Sequence, residues 1–232
     1  MGATVCDAVE ADAGLELVAR VDLEDDNQLL VDAGAEVVVD FTTPDSVKAN
    51  IEFCVSNGIH VVVGTTGLSE ADLEDIGKRA TQSSTNVFVA PNFAIGAVLM
   101  MRFAAQAASH FRNAEIIERH HENKLDAPSG TALRTARLMN EARGEGWSEV
   151  AEATESLDGS RGGDADGVRV HSVRVPGSVA HQEVIFGGPG ETLTIRHDSL
   201  DRASFMPGVV LAVKKVGSLD GLTVGLEHLL DL

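Results

Sequence analysis

The first half of the chain alternates short apolar runs with longer segments of helical period. "LELVARVD" (15–22), "AEVVVDF" (35–41), "GIHVVVG" (58–64) and "NVFVAPNF" (86–93) are rich in β-branched residues and carry no regular polar alternation. Runs of that kind predict strands buried on both faces, as in a parallel sheet. Between them, "SVKANIEFCVSNG" and "SEADLEDIGKRA" place their apolar positions at helical spacing, and Ser69 with Asp72 predicts a capping box. "ATVCDAVEAD" predicts a helix at the front. Strands separated by helices predict a Rossmann-like unit over residues 1–94.

The second half has a different rhythm. A long apolar helix is predicted over 95–110, followed by a strand carrying "EIIERHH" and a helix "GTALRTARLMNEAR" with Ser129 as its N-cap. Residues 144–167, rich in Gly, Asp and Glu, read as one long loop. "VRVHSVRV" (168–175), "HQEVIFG" (181–187) and "ETLTIRHD" (191–198) alternate apolar with polar positions, which predicts antiparallel strands, with "GGPG" turning between the last two. "SFMPGVVLAVKKVG" returns to a helix and "LTVGLEHLL" closes the chain. The fold class is therefore expected to be α/β. A Rossmann-like parallel-sheet domain (1–94 and 204–232) would carry an inserted α+β domain with a mixed sheet (95–203).

Composition narrows the function classes. With 232 residues and 44% apolar content the chain is globular rather than disordered. A formal net charge of −18 argues against polyanionic partners, so neither nucleic acid nor an anionic membrane is expected. Cys6 and Cys54 supply neither a disulfide framework nor a metal-ligand spacing. No run of 18 apolar residues and no leader pattern stands out, so a soluble, cytoplasmic protein is expected.

Against this acidic background, "EIIERHHENKLDAPSGTA" (115–132) gathers Arg119, His120, His121 and Lys124 in front of a Pro-Ser-Gly-Thr turn. On a strand, His120 and His121 point to opposite faces, and a bend after them would let both line one cleft. The turn opens a helix, so Gly130 and Thr131 offer backbone N–H groups and a hydroxyl at its positive end, an anion site by geometry. A carboxylate would sit there while the His and Lys hold a second one or supply a proton. Adjacent strand residues diverge and no third ligand is spaced nearby, so no metal is expected. "FTTP" (41–44), "GTTG" (64–67) and "APNF" (90–93) end three strands with tight polar segments, where open α/β sheets bind ligands. Small residues there let backbone amides approach a cofactor. Asp22 ends "LVARVD" at the place of the acidic residue that holds ribose hydroxyls. The glycine-rich loop about 20 residues earlier would fall at Met1-Gly2, so the first strand and most of that loop are expected upstream of Met1, with an internal Met taken as the start.

The run from 115 to 132 resembles the active-site signature of the dihydrodipicolinate reductase family, enzymes of bacterial lysine and diaminopimelate synthesis. The likeness extends to "VVVDFTTP", "VVGTTG", "APNFAIGAV", "VAHQEVIFG", "GETLTIRHDSLDRASFMPGV" and "GLTVGLE", and is weakest over 144–167. The wording of these segments is similar to the actinobacterial branch. The resemblance implies that His120 is the proton donor/acceptor and Lys124 the proton donor, with His121, Gly130 and Thr131 binding a small dicarboxylate substrate. It implies further that Met1, Asp22, Gly64, Thr65, Thr66, Ala90, Pro91, Asn92 and Phe93 contact the cofactor, NADPH or NADH. The implied reaction is reduction of 4-hydroxy-tetrahydrodipicolinate to tetrahydrodipicolinate by a homotetramer assembled through the substrate domain's sheet. Relatives begin with a strand and a glycine loop of the form V-G-V-L-G-A-x-G-x, which this sequence lacks. That departure leaves a second expectation open, a catalytically impaired or inert binding protein on the same scaffold. A third is another two-domain nicotinamide dehydrogenase acting on an amino or keto acid.

Overall fold

The structure is a computed structural model that describes residues 1–148 and 154–230. In chain order its elements are α1 (Gly2–Ala11), α2 (Gln28–Asp32), β1 (Val37–Asp40), α3 (Pro44–Ser56), β2 (His60–Val63), α4 (Glu70–Ser83) and β3 (Val87–Val89). There follow α5 (Ile95–Ala108), β4 (Asn113–His120), α6 (Gly130–Arg143), β5 (Gly163–Ala165), β6 (Val168–Arg174), β7 (Ala180–Gly188), β8 (Glu191–Ser199), α7 (Met206–Val216) and β9 (Leu222–Val224). The chain divides into two compact units, Met1–Ile95 with Arg202–Leu232, and Gly96–Asp201.

The first unit is built on a parallel sheet of order β1-β2-β3-β9. Its central strands are short valine runs because both faces are covered: Val61, Val62, Val63, Val87 and Phe88 have no exposed surface. Val47, Ile51 and Cys54 of α3 and Ile76 and Ala80 of α4 pack on the sheet. Burial pushes the Cys54 thiol up to about 12, so it is a packing residue and not a nucleophile. Helix α3 opens on Pro44, in the first turn where a missing N–H costs nothing. Helix α4 opens on the expected capping box: Ser69 accepts from the Asp72 N–H, and the Asp72 carboxylate accepts from the Ser69 N–H.

Residues 15–22 do not form the strand that their composition predicts. A strand exists only through backbone pairing with a neighbour, and among the described residues β1 pairs with β2 alone. Without a ladder, the segment's β-branched content has nothing to act on, and Val18 stays 44% exposed.

The second unit holds a mixed sheet of order β5-β6-β4-β7-β8. Ile116, Val168, Val170, Val184 and Phe186 face a core closed by Ala104 and Ala108 of α5 and Ala132, Ala136 and Met139 of α6. Two expectations are corrected here. The stretch 144–167 is not one long loop: β5 lies within it and pairs antiparallel with β6, Ala165 opposite Val168. The two-residue connection is Asp166-Gly167, both at positive φ (54° and 89°), the Asp-Gly signature of a tight hairpin. Residues 149–153 of that expected loop lie outside the described residues. Strand β6 is also not antiparallel throughout, because it runs parallel to β4, with Ile117 opposite His171 and His120 opposite Arg174. Among the described residues no helix is long and apolar enough to cross a membrane.

One close approach ties α7 to its own unit. A Cβ added at Gly208 would lie 2.1 Å from the Phe93 carbonyl oxygen. Replacing a helical glycine by alanine normally stabilises by about 1 kcal/mol, whereas forcing atoms into a packed backbone costs about 1–3 kcal/mol. Gly208→Ala is therefore expected to lower the urea midpoint, while Gly146→Ala, where nothing lies within 4 Å, leaves it near wild type. Equal midpoints for both variants would show the contact to be unimportant.

Candidate active site

Strand β4 alternates in its exposure, and the alternation sorts its chemistry. Ala114, Ile116 and Glu118 are buried on the face covered by the helices, while Glu115, Ile117 and Arg119 lie on the other. Glu118 has no exposed surface at all. An ionised carboxylate in such a place is tolerated only with its lone pairs filled. Glu118 Oε2 lies 2.5 Å from His120 Nδ1, and both carboxylate oxygens accept from Arg174, Nη1 and Nη2 each donating at 2.8 Å. The Ser129 N–H donates to Oε1 at 3.2 Å. Burial pushes the Glu118 carboxyl up, but the hydrogen bonds from His120, Arg174 and Ser172 outweigh it and bring the group from 4.5 down to about 2.

From this carboxylate the site spreads outward. After His120 the chain turns, the Lys124 N–H donating to the His121 carbonyl at 3.2 Å. Lys124 Nζ donates to Asp126 Oδ1 at 2.7 Å, and that ammonium holds the Asp126 carboxyl below its usual range. Arg174 Nη2 donates to the Asp126 carbonyl at 2.6 Å, fastening the turn to β6. Ser129 is the N-cap of α6 as expected, its hydroxyl accepting from the Ala132 N–H at 3.2 Å. Gly130 is exposed in the first turn, Thr131 is half-buried beside it, and His121 is exposed beyond the end of the strand.

His120, the Lys124 turn and the start of α6 are thus held around one group. Arg119 is not among them: strand alternation turns it to the opposite face of the sheet, with its Nε buried and unbonded. Sequence reasoning missed Glu118, Arg174 and Asp126. Glu118 was open to inference, since residue i−2 on a strand shares the face of residue i. Arg174 was not, because it meets Glu118 only through the pairing of β4 with β6.

In the first unit Gly64, Thr65 and Thr66 follow β2 and Ala90, Pro91, Asn92 and Phe93 follow β3, at the carboxyl edge of the parallel sheet. The ladder continues one step past the strands: the Gly64 N–H donates to the Asp40 carbonyl, Ala90 to Val63 and Gly225 to Val89. A second buried carboxylate organises this edge. Asp40, 3% exposed, accepts from the Thr42 N–H and hydroxyl, the Thr65 hydroxyl and Asn50 Nδ2 at 2.7–3.0 Å. Thr65 is therefore engaged with the scaffold, and Gly64 is glycine for packing, since a Cβ there would lie 2.1 Å from the Phe41 ring. Phe93 is buried against Phe41 and Phe88, and Ala90 is buried beside it. Thr66 and Pro91 are exposed, and the Asn92 side chain accepts from the Ala94 N–H at 2.9 Å. Asp22 is exposed in a turn, its carboxylate accepting from the Leu23 N–H, and Met1 is the N-cap of α1. Exposed backbone, one hydroxyl and small residues over a rigid edge suit a flat, polar cofactor. Among the described residues no group of three His, Cys, Asp or Glu is placed to hold a metal ion.

A Rossmann-type nucleotide-binding sheet together with a His-Lys cluster at a helix N-terminus defines an α/β oxidoreductase. Profiles described as dihydrodipicolinate reductase, N-terminus and C-terminus, match residues 1–93 and 96–230. The chain belongs to the dihydrodipicolinate reductase family. It is 59% identical over 236 residues to a 4-hydroxy-tetrahydrodipicolinate reductase of Nocardia farcinica, covering all of this chain and 95% of the relative. It is 58% identical over 235 residues to the enzyme of that name from Corynebacterium diphtheriae, with the same coverage. Among solved structures, dipicolinate-bound dihydrodipicolinate reductase from Paenisporosarcina sp. TG-14 superposes with a TM-score of 0.89 at 39% identity, covering 99% of this chain and 95% of that one.

The depressed carboxyl of Glu118 makes stability depend on pH. A group whose folded pKa lies below its unfolded value stabilises the fold above the unfolded value, and the benefit fades as pH falls to the folded one. For Glu118 that window runs from 4.5 down to about 2, and the loss amounts to about 3 kcal/mol. Chemical unfolding across this window is expected to show a steeper pH dependence for the wild-type protein than for Glu118→Gln. Parallel curves would contradict the assignment.

Proposed function

We propose that the chain reduces 4-hydroxy-tetrahydrodipicolinate to tetrahydrodipicolinate with NADPH or NADH, in lysine and diaminopimelate biosynthesis. The observation that carries this reading is the cluster around Glu118, which fixes an imidazole, an ammonium-bearing turn and a helix N-terminus together. Residues 1–94 and 204–232 form the dinucleotide-binding domain in this reading, with cofactor contacts from Met1, Asp22, Gly64, Thr65, Thr66, Ala90, Pro91, Asn92 and Phe93. Thr65 and Phe93 contribute there through backbone and shape, since their side chains are already engaged. When bound, the reduced nicotinamide supplies a hydride. The chain's own residues do the rest. Gly130 and Thr131, at the positive end of α6, take one carboxylate of the substrate, and His121 helps hold the dicarboxylate. His120 is the proton donor/acceptor, and Lys124 gives the proton that completes the reduction.

Residues 95–203 form the substrate-binding domain and carry the contacts of a homotetramer. Supporting that assembly, the sheet face opposite α5 and α6 presents half-buried Ile117 and Ile185 and exposed Val173 among charged residues. A cytoplasmic location follows from this biosynthetic role. No observation favours the alternative of an inert binding protein.

The test is turnover in a coupled assay with the preceding synthase, followed by nicotinamide absorbance. His120→Ala and Lys124→Ala are each expected to lower kcat by about 10²–10⁴, with cofactor affinity, read by nicotinamide fluorescence, almost unchanged. Wild-type turnover in both variants would remove the role assignment.

A further inference from the structure

We propose that Glu118 and Arg174 form a positioning pair for this reaction. The carboxylate fixes His120 with its proton on Nδ1, so that Nε2 is the nitrogen exchanging a proton with substrate, and the guanidinium clamps the turn that carries Lys124. The proposal rests on the reading of His120 and Lys124 given above.

Packing alone gives no reason for this pair. The other inward residues of β4 that line the core are Ala114 and Ile116, and an apolar residue at 118 would continue their pattern. An ionised carboxylate there must be desolvated, and a buried ion pair of this kind is commonly no more stable than an apolar replacement. What the carboxylate adds is connection. One group touches the His120 ring, the Arg174 fork and the Ser129 N–H at the start of α6. Arg174 extends the reach to the Asp126 carbonyl, and the Asp126 side chain holds Lys124 Nζ. Every proposed catalytic or substrate-binding segment of the second unit is therefore one to three hydrogen bonds from Glu118.

The chemistry at the ring follows from the acceptor. An ionised carboxylate has no proton to donate, so a hydrogen bond to Nδ1 requires the proton to sit on that nitrogen. The neutral ring then has its lone pair on Nε2, and the charged ring has its transferable proton there. A ring with both tautomers populated would present the wrong nitrogen part of the time. Orientation through a carboxylate partner is how imidazoles are tuned at metal and hydrolase sites.

Histidine tautomers are read directly by two-bond proton–nitrogen spectra of the full chain labelled at histidine, at alkaline pH where the ring is neutral. The His120 signal is identified by its loss in His120→Gln. Wild type is expected to show the Nδ1–H form. In Glu118→Gln, whose amide offers either a donor or an acceptor, the Nε2–H form should gain population, kcat should fall at least about tenfold, and KM should stay within about threefold. An unchanged His120 spectrum or an unchanged kcat in Glu118→Gln overturns the proposal.

Should Glu118→Gln fail to fold, Arg174→Lys carries the test. It keeps the charge but loses the fork and the hold on the turn. The His120 spectrum should then remain as in wild type while kcat falls several-fold; wild-type kcat, or a shifted tautomer, overturns the clamp. The spectra need no substrate, so a wild-type chain without turnover would refute the proposed reaction and leave the positioning to be judged by the tautomer alone.

Discussion

A carboxylate without water is the constraint around which the second unit is arranged. Glu118 is ionised and fully enclosed, so its lone pairs must meet donors, which come from its own strand, from the start of α6 and from β6, 56 positions on. The pairing of β4 with β6 makes this possible. Because the two strands run parallel, their carboxyl ends coincide, and the register sets Arg174 opposite His120. A guanidinium at that position reaches the carboxylate on the neighbouring strand through both Nη1 and Nη2, and Nη2 also reaches the segment beyond His120. An antiparallel neighbour would have brought its amino end there, and the turn would have lost its anchor. On the far side the short β5 covers the first part of β6, Val168–Val170.

The first unit solves a similar problem in a similar way. Asp40 ends β1 as a buried carboxylate, and its donors come from its own next turn, from α3 and from the segment after β2. Charge-assisted hydrogen bonds of this kind contribute about 1.5–3 kcal/mol each, so the loops at the carboxyl edge are held by more than their own turn chemistry. Rigidity matters at such an edge, because a cofactor bound by backbone and small residues depends on where the backbone already is. In both units, then, a buried acid ties the segments beyond a strand's carboxyl end together by hydrogen bonds.

Much of this was legible in the chain, and the pattern of failures is physical. Interactions within four residues were read correctly: the capping box of Ser69 and Asp72, the Ser129 cap and the valine-rich buried strands. The Asp166-Gly167 hairpin was equally local and went unread because the acidic, glycine-rich stretch around it looked like loop. Residues 15–22 show the opposite case, good strand composition without a neighbour to pair with. Gly64 was given a reason in ligand approach when its nearest constraint is the Phe41 ring. Arg119 was grouped with His120 by closeness along the chain, although strand alternation separates adjacent residues by a whole sheet. Glu118 and Arg174 lie 56 positions apart, and only the sheet register joins them.

Charge near the site is distributed in a way that separates permanent from provisional pairs. The chain carries a net −18, yet the cluster itself is close to balanced, since Arg174 faces Glu118 and Lys124 faces Asp126. These two pairs are not equivalent. Glu118 is sealed from water, and breaking its pair would strand a charge at a cost of about 3–5 kcal/mol. The Asp126 side chain is 57% exposed, and an ion pair with so accessible a partner is worth about 0–1 kcal/mol. The Arg174 pair is therefore permanent and the Lys124 pair exchangeable. Asp126 can leave the ammonium for solvent at little cost, while Arg174 stays where it holds the turn.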